Sequence, residues 1–239
     1  MNVLRIIHLD EPLPLETVVF AIAPLDSFTR AIVRGPVTAQ IEAHGAVAKR
    51  NLSGLLVFVE RAVPGGDPML PVEPRYSVKI TARQAGYFDQ RIEVDRPSPD
   101  VMDSQRLIEV PMHRIPSAPF TIETSLVRGV VLIDRAPVNG ADVGAVVSND
   151  APDPDDVLPF RTRTDTQGDF ALPLRLPDQT PGQTGTASAH FWFRITAPDA
   201  PAVMLKRQVR DGQQYSFGLP IDLADGAPPL VPLLVPSRP

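Results

Sequence analysis

Proline is spread so evenly along this chain that no stretch escapes it for long. The longest run free of both proline and glycine is Thr186–Ala197, 12 residues. A proline inside a helix removes an N–H donor and clashes with the preceding turn, at a cost of roughly 3 kcal/mol. With 28 prolines and 15 glycines in 239 residues, helical bundles, coiled coils and most βαβ folds are excluded. Short strands between closely spaced turns remain. Apolar residues make up 43% of the chain, enough to build a sizeable core.

Strand signals recur at the short intervals this requires. Thr17–Ala23 is β-branched and apolar, and Pro24-Leu25-Asp26-Ser27 supplies a turn. Phe28–Arg34 follows with rough alternation, and Leu55–Glu60 is a dense apolar run opened by Ser53-Gly54. Tyr76–Ala82 alternates cleanly, with Tyr76, Val78 and Ile80 on one face. Gly86 makes a turn, and Arg91–Val94 and Leu107–Met112 return. Period-2 patterning of this kind predicts half-buried antiparallel strands.

The second half echoes the first. Val33-Arg34-Gly35 returns as Val127-Arg128-Gly129, Lys79-Ile80-Thr81-Ala82 as Arg194-Ile195-Thr196-Ala197, and Val110-Pro111-Met112 as Val231-Pro232-Leu233. The order is kept while the spacing grows, which predicts a duplicated β-unit whose second copy carries insertions at Ser148–Pro159 and Pro177–Ala187. The domain reading is an N-terminal arm or edge strand at 1–16, a first sandwich at 17–115, a stiff linker at 116–119 within Arg114–Pro119, a second sandwich at 120–235, and a tail at 236–239. Within the arm, Met1–Leu15 carries Val3, Leu4, Ile6, Ile7 and Leu9 before Pro12-Leu13-Pro14. It reads either as an edge strand or as an extension onto a neighbouring subunit. Prolines near strand ends, Pro111, Pro173 and Pro232, are expected to guard sheet edges against pairing with other chains.

The second unit reads V-R-G-V-V from Val127, P-V-N-G-A-D-V from Pro137 to Val143, and T-D-T-Q-G-D-F from Thr164 to Phe170. This resembles the carboxypeptidase regulatory-like domain, a transthyretin-like (prealbumin-like) β-sandwich, over about residues 124–235. Tyr76–Ala82 with Ala85-Gly86-Tyr87 is similar to another segment of that family, so 17–113 resembles a divergent copy. The resemblance implies an all-β chain of two tandem immunoglobulin-like or transthyretin-like sandwiches, used as spacers, adhesion modules or partners of enzymes. In the residues themselves, Pro137 and Gly140 bracket an expected tight turn. Asp165 is placed to take amides two residues on, and Gly168 to adopt a positive φ in a bulged hairpin.

Signals for chemistry are sparse. There is no cysteine, which removes disulfides and thiolate metal sites together. His8, His44, His113 and His190 stand at least 36 residues apart and form no metal-binding spacing. Phosphate loops, nucleophile elbows and Walker motifs are absent. No catalytic, cofactor or metal residue is assigned. Two places stay open as ligand sites. One is the acidic run Asn149–Asp156, with Asp150, Asp153, Asp155 and Asp156, read as a solvated insertion or a calcium loop. The other is Trp192 between Phe191 and Phe193, where alternation puts Trp192 on the opposite face, as a core or interface aromatic or a sugar platform.

A net charge of −5 argues against nucleic acid as a partner. No window reaches the ~18 apolar residues of a membrane span. Met1–Asp10 lacks an unbroken apolar core of a signal peptide, which predicts synthesis in the cytoplasm without a recognisable signal. The expected function is a non-enzymatic structural or adaptor protein: two rigid sandwiches bound to protein subunits of a larger assembly, further copies of itself among the candidates. A phage tail, virion or phage-like contractile injection particle is the candidate setting. The alternative is a carbohydrate or cell-surface binding module.

Overall fold

The computed structural model describes residues 15–62, 73–98, 106–121, 124–176, 188–198, 200–224 and 232–234. The arm that precedes residue 15 and the insertion 177–187 lie outside them. The chain divides into two compact units, one of 1–25, 32–82 and 89–110, the other of 26–31, 83–88 and 111–239. The expected linker residues Arg114–Pro119 fall within the second.

The first unit holds β1 (Leu15–Asp26) up to Leu25, β2 (Thr38–Ile41), β3 (Lys49–Arg50), β4 (Leu56–Ala62), β5 (Arg75–Thr81), β6 (Gln90–Asp95) and β7 (Leu107–Met112) up to Val110. They form two sheets, ordered β3-β4-β1-β7 and β2-β5-β6. One face of each is apolar. Phe20 and Ile22 of β1 pair with Phe58 and Leu56 of β4, and all four are buried. Tyr76, Val78 and Ile80 of β5 are buried as the alternation predicts. The Phe20 ring lies 4.6 Å from Phe58 and 5.8 Å from Tyr76, joining the two sheets in one core. The Tyr76 hydroxyl is satisfied at its rim by Arg96, which also pairs with Glu60 at 3.0 Å.

The second unit holds β8 (Ser125–Ile133), β9 (Ala136–Pro137), β10 (Asp142–Val147), β11 (Phe160–Arg163), β12 (Asp169–Leu174), β13 (Ser188–Thr196), β14 (Val203–Arg210), β15 (Gln214–Phe217), β16 (Ile221–Asp222) and β17 (Pro232–Leu234). One sheet runs β11-β10-β13-β14; the other runs β12-β8-β15-β17, with β9 and β16 also on β8. β15 and β16 pair with β8 in parallel. Between the sheets lie Val127, Val131, Val143, Phe170, Leu172, Phe191, Phe193, Ile195 and Leu205. Among the described residues the chain is therefore nearly all β, its strands forming β-sandwiches.

Pro111, Pro173 and Pro232 lie in β7, β12 and β17, each the end strand of its sheet. A proline has no N–H to offer a passing chain, and an edge is where that omission does no internal harm.

Three local expectations give way. Phe28–Arg34 is not a strand: residues 27–29 form a turn. The Asp26 carboxylate takes the N–H groups of Phe28 and Thr29 at 3.0 and 2.8 Å, and Arg30 adopts φ 61°. Such side-chain bonds offer the backbone an alternative to a ladder. Next, the single turn expected between β8 and β10 is two: one at Asp134-Arg135, with φ 50° and 66°, and one at Asn139-Gly140, inside the expected Pro137–Gly140 bracket, with Gly140 at φ 78°. Finally, Val127-Arg128-Gly129 lies inside β8, whereas Val33-Arg34-Gly35 lies in a loop. The second echo does hold. Lys79–Thr81 on β5 and Arg194–Thr196 on β13 each occupy a strand flanked by antiparallel neighbours, β2 and β6 or β10 and β14.

Candidate functional site

The acidic insertion and Trp192 belong to one construction. β13 sends Phe191 and Phe193 into the core and Trp192 to the outer face, as alternation predicts. There Trp192 stands between Val146 of β10 and Lys206 of β14. The Lys206 ammonium sits 5.6 Å from the indole centroid and donates to the Asn149 carbonyl at 2.8 Å. Two residues along the same face, the Arg194 guanidinium donates to the carbonyls of Asp153 at 2.9 Å, Asp156 at 2.6 Å and Pro154. Leu158, 3% exposed, closes the loop over Gly144, where a Cβ would come within 2.7 Å of the leucine side chain. The loop is thus laid down on the sheet and tied by two cations.

This geometry bears on both open readings. A calcium site needs several oxygens converging on one point. Here three loop carbonyls converge on the guanidinium of Arg194, a cation the chain supplies itself. The exposed carboxylates of Asp150, Asp153 and Asp155 point to no shared centre, and among the described residues no group of three acidic or histidine side chains is arranged to hold a metal. Trp192 is half-buried, one ring face is taken by Lys206, and its Nε1–H is enclosed with no partner among the described residues. It is not an open stacking platform.

A second feature surrounds His113, just after β7. A groove of about 310 Å³ is lined by Ser27, Phe28, Pro111, Phe160, Arg161 and Pro173 together with His113. Burial of the imidazole pushes its pKa down to about 4, and the charges of Arg163 and Arg161 add to that effect. The ring is neutral at pH 7. Its Nδ1 is enclosed with no hydrogen-bond partner among the described residues. Ser27 is the hydroxyl on the same wall, yet among the described residues no hydrogen bond joins it to His113, so the pair lacks the nucleophile–base link of acyl-transfer chemistry.

Of the other histidines, His44 pairs with Glu73 at 2.7 Å, His190 is exposed on β13, and His8 lies outside the described residues. Among the described residues the histidines do not gather, with one another or with carboxylates, into a group that could hold a metal.

The buried polar centre that sequence reasoning missed is Asp26, 2% exposed. Besides its two turn amides, it accepts the Tyr87 hydroxyl at 2.8 Å and Arg114 Nε at 2.7 Å. Arg114 also donates to the Pro119 carbonyl at 2.8 Å and lies over the rings of Tyr87 and Phe120. Burial pushes the Asp26 pKa up, but the Thr29 amide, Arg114 and Tyr87 together outweigh it and hold the carboxyl below its ordinary value. The Tyr87 phenol, buried beside that carboxylate, is pushed up to about 12. In the sequence, Asp26 shows only as one letter of a turn. Its partners are 61 and 88 residues away.

Among the described residues no helix is long and apolar enough to cross a membrane. No protein-family model matches the chain, and no curated protein matches it. Solved structures do. A single-residue mutant of the shaft pilin SpaA from Lactobacillus rhamnosus GG aligns over 84% of this chain and 96% of its own, at 16% identity and a TM-score of 0.25. A second single mutant of the same pilin aligns over 85% and 95% at 16% identity and a TM-score of 0.24, and a double mutant over 85% and 96% at 14% and 0.24.

Proposed function

We propose that the protein is a non-enzymatic structural or adaptor component, two β-sandwiches working as building blocks of a larger protein assembly. The observation that carries this reading is the use made of the charged side chains. Arg194, Lys206, Asp26 and Arg114, which sequence alone leaves available for ligands, are committed to tying loops onto sheets through main-chain groups. A chain that spends its buried and half-buried charges on loop rigidity is suited to holding shape. The edge prolines fit the same purpose, since they keep the sheets from uncontrolled pairing.

Two finer statements belong to this proposal. The second unit is of carboxypeptidase regulatory-like type, supported by the Asp165–Gly168 turn, where Asp165 takes the amides of Gln167 and Asp169 and Gly168 has φ 76°. The setting is a phage tail or a phage-like contractile particle, on fold-level analogy alone. The test is isolation of the native protein under mild conditions, with sedimentation and electron microscopy of the material. Recovery in a large particle with defined protein neighbours is the expected result. A monomer that brings no protein with it, and that turns over a substrate, would overturn the reading.

A further inference from the structure

The sheet that β8 shares with β12 and β15 carries a hollow on its outer face. Phe170 and Leu172 of β12 and Val127 and Val131 of β8 turn into the core. Alternation therefore sends Asp169 of β12 and Arg128 of β8 to the other side. Asp169 stands opposite Val130, and Ala171 opposite Arg128. Asp169 and Arg128 are thus diagonal neighbours, with Cβ atoms roughly 7 Å apart. Ser216 of β15 lies beside Arg128 in register. The hollow has a volume of about 380 Å³ and is walled by Ser117, Arg128, Val130, Asp165, Asp169 and Ser216. That is the size of a small-ligand pocket.

The opposite charges in this hollow do not meet. The Arg128 guanidinium donates to the Pro116 carbonyl at 2.6 Å and lies 5.6 Å from the centroid of the Phe120 ring. Among the described residues the Asp169 carboxylate takes part in no hydrogen bond or ion pair; only its main-chain N–H is engaged, by Asp165 at 3.1 Å. Burial pushes the Asp169 pKa up, the nearby Asp165 adds to the rise, and Arg128 offsets only part of it. A half-buried carboxylate in this condition is stabilised by a cation brought to it.

The charges also select the occupant. Asp165 and Asp169 outnumber Arg128, so an anion is repelled. A bare divalent ion wants several oxygens converging on one point, and among the described residues no group of three acidic or histidine side chains is arranged to supply them. An organic ammonium needs only one carboxylate for a charge-assisted hydrogen bond, and its alkyl stem can lie along Val130. Arg128 has given one of its five N–H donors to Pro116 and can offer others to an acceptor on the same ligand. Because Asp169 and Arg128 are set a strand diagonal apart, that acceptor must stand several bonds from the ammonium. The two ends of glycine are too close together, whereas the side-chain ammonium and carbonyl end of lysine have the necessary reach.

We propose that this hollow binds a lysine-type ligand, with the ε-ammonium at Asp169, the aliphatic stem along Val130 and the carbonyl or carboxylate end at Arg128. The inference goes beyond the building-block reading and does not rest on it, so failure of the site leaves that reading untouched.

The test is isothermal titration of the whole chain with Nα-acetyl-L-lysine methylamide. Saturable binding in the millimolar range is expected. The norleucine counterpart has nearly the same stem and no ammonium, and should bind at least about tenfold more weakly, as loss of one charge-assisted bond requires. Asp169→Asn changes a side chain that has no partner in the fold, and should weaken lysine binding by a similar factor with the circular dichroism spectrum unchanged. Free L-lysine then tells two sources of the same chemistry apart. Tighter binding than the capped form supports the proposal with a free amino acid as ligand, its carboxylate at Arg128. Weaker binding supports it with a lysine residue within a chain, since the free α-ammonium is repelled by Arg128. Equal affinity for the norleucine compound overturns the proposal without recourse to any variant. Undiminished binding by a folded Asp169→Asn protein overturns it as well, as does the absence of saturable heat up to the solubility limit of the capped lysine.

Discussion

The Asp222 carboxylate on β16 accepts the main-chain N–H of Arg135 at 3.0 Å and, through its other oxygen, that of Asp134 at 3.2 Å. These are the two residues at positive φ in the turn between β8 and β9. A two-residue hairpin turn of this kind normally takes Asn-Gly, because both central residues must be left-handed. Here an aspartate 88 residues from Asp134 replaces the missing glycine by holding both amides.

Asp222→Ala should lower the urea midpoint, and Arg135→Gly should restore part of the loss, since a left-handed non-glycine residue carries about 1 kcal/mol of strain. The amide of Ala224 is the largest of several influences that hold the Asp222 pKa below its ordinary value, with Arg135 and Asp134 contributing. Its contribution is therefore present above the ordinary carboxylate pKa and is lost as pH falls through the lower folded value. Asp222→Asn should flatten that acid limb of the stability profile. A double variant no more stable than Asp222→Ala would show that the carboxylate does not act through the turn.

Gly168 and Gly140 separate backbone strain from crowding. Both have positive φ, 76° and 78°. A Cβ on Gly168 would lie 2.5 Å from the Val131 carbonyl oxygen, while nothing lies within 4 Å of one on Gly140. Gly140→Ala should cost about 1 kcal/mol, the conformational term alone. Gly168→Ala should cost about 3 kcal/mol, because a β8 carbonyl must also move. Chemical denaturation of the two variants gives the comparison directly, and equal losses would mean that β8 yields freely.

These positions show what a sequence displays and what it hides. The Asp165–Gly168 turn is local, so four letters are enough to read it, and the period-2 run on β5 declares its buried face without help from elsewhere. Edge prolines are legible because their missing donor restricts where they can stand. The turn at Asp134-Arg135 is hidden, because Asp222 acts from the far end of the unit. Phe28–Arg34 alternates like a strand, yet Asp26 diverts it into a turn, and Asp26 itself is fixed by Tyr87 and Arg114. The acidic run was visible as charge, but its carbonyls, which have no letter, are what Arg194 holds.

Arg194→Met should release the insertion without unfolding the sandwich. The lost bonds are at the surface, so global stability should fall by no more than about 1 kcal/mol. Local opening should be larger: faster proteolytic nicking within residues 148–159, and a red shift of the emission of Trp192, the sole tryptophan. Added millimolar calcium should restore neither signal, because the carbonyls converge on a guanidinium rather than on an ion cavity. Calcium-dependent protection in either protein would reverse this assignment.

His113 should govern stability between neutral and mildly acidic pH. Its folded pKa is about 4 against an ordinary 6.5, because burial disfavours the charged ring. Between those values the unfolded chain binds a proton that the folded chain refuses, so stability is full above about pH 6.5 and declines as pH falls toward 4. The displacement corresponds to a loss on the order of 2–3 kcal/mol across that interval. His113→Leu removes the titration and should flatten the profile over that interval, while leaving the acid limb set by Asp26 and Asp222 at lower pH. Urea midpoints at half-unit steps for both proteins test this. A parallel decline in the variant would mean that another group, and not the enclosed imidazole, takes up the proton.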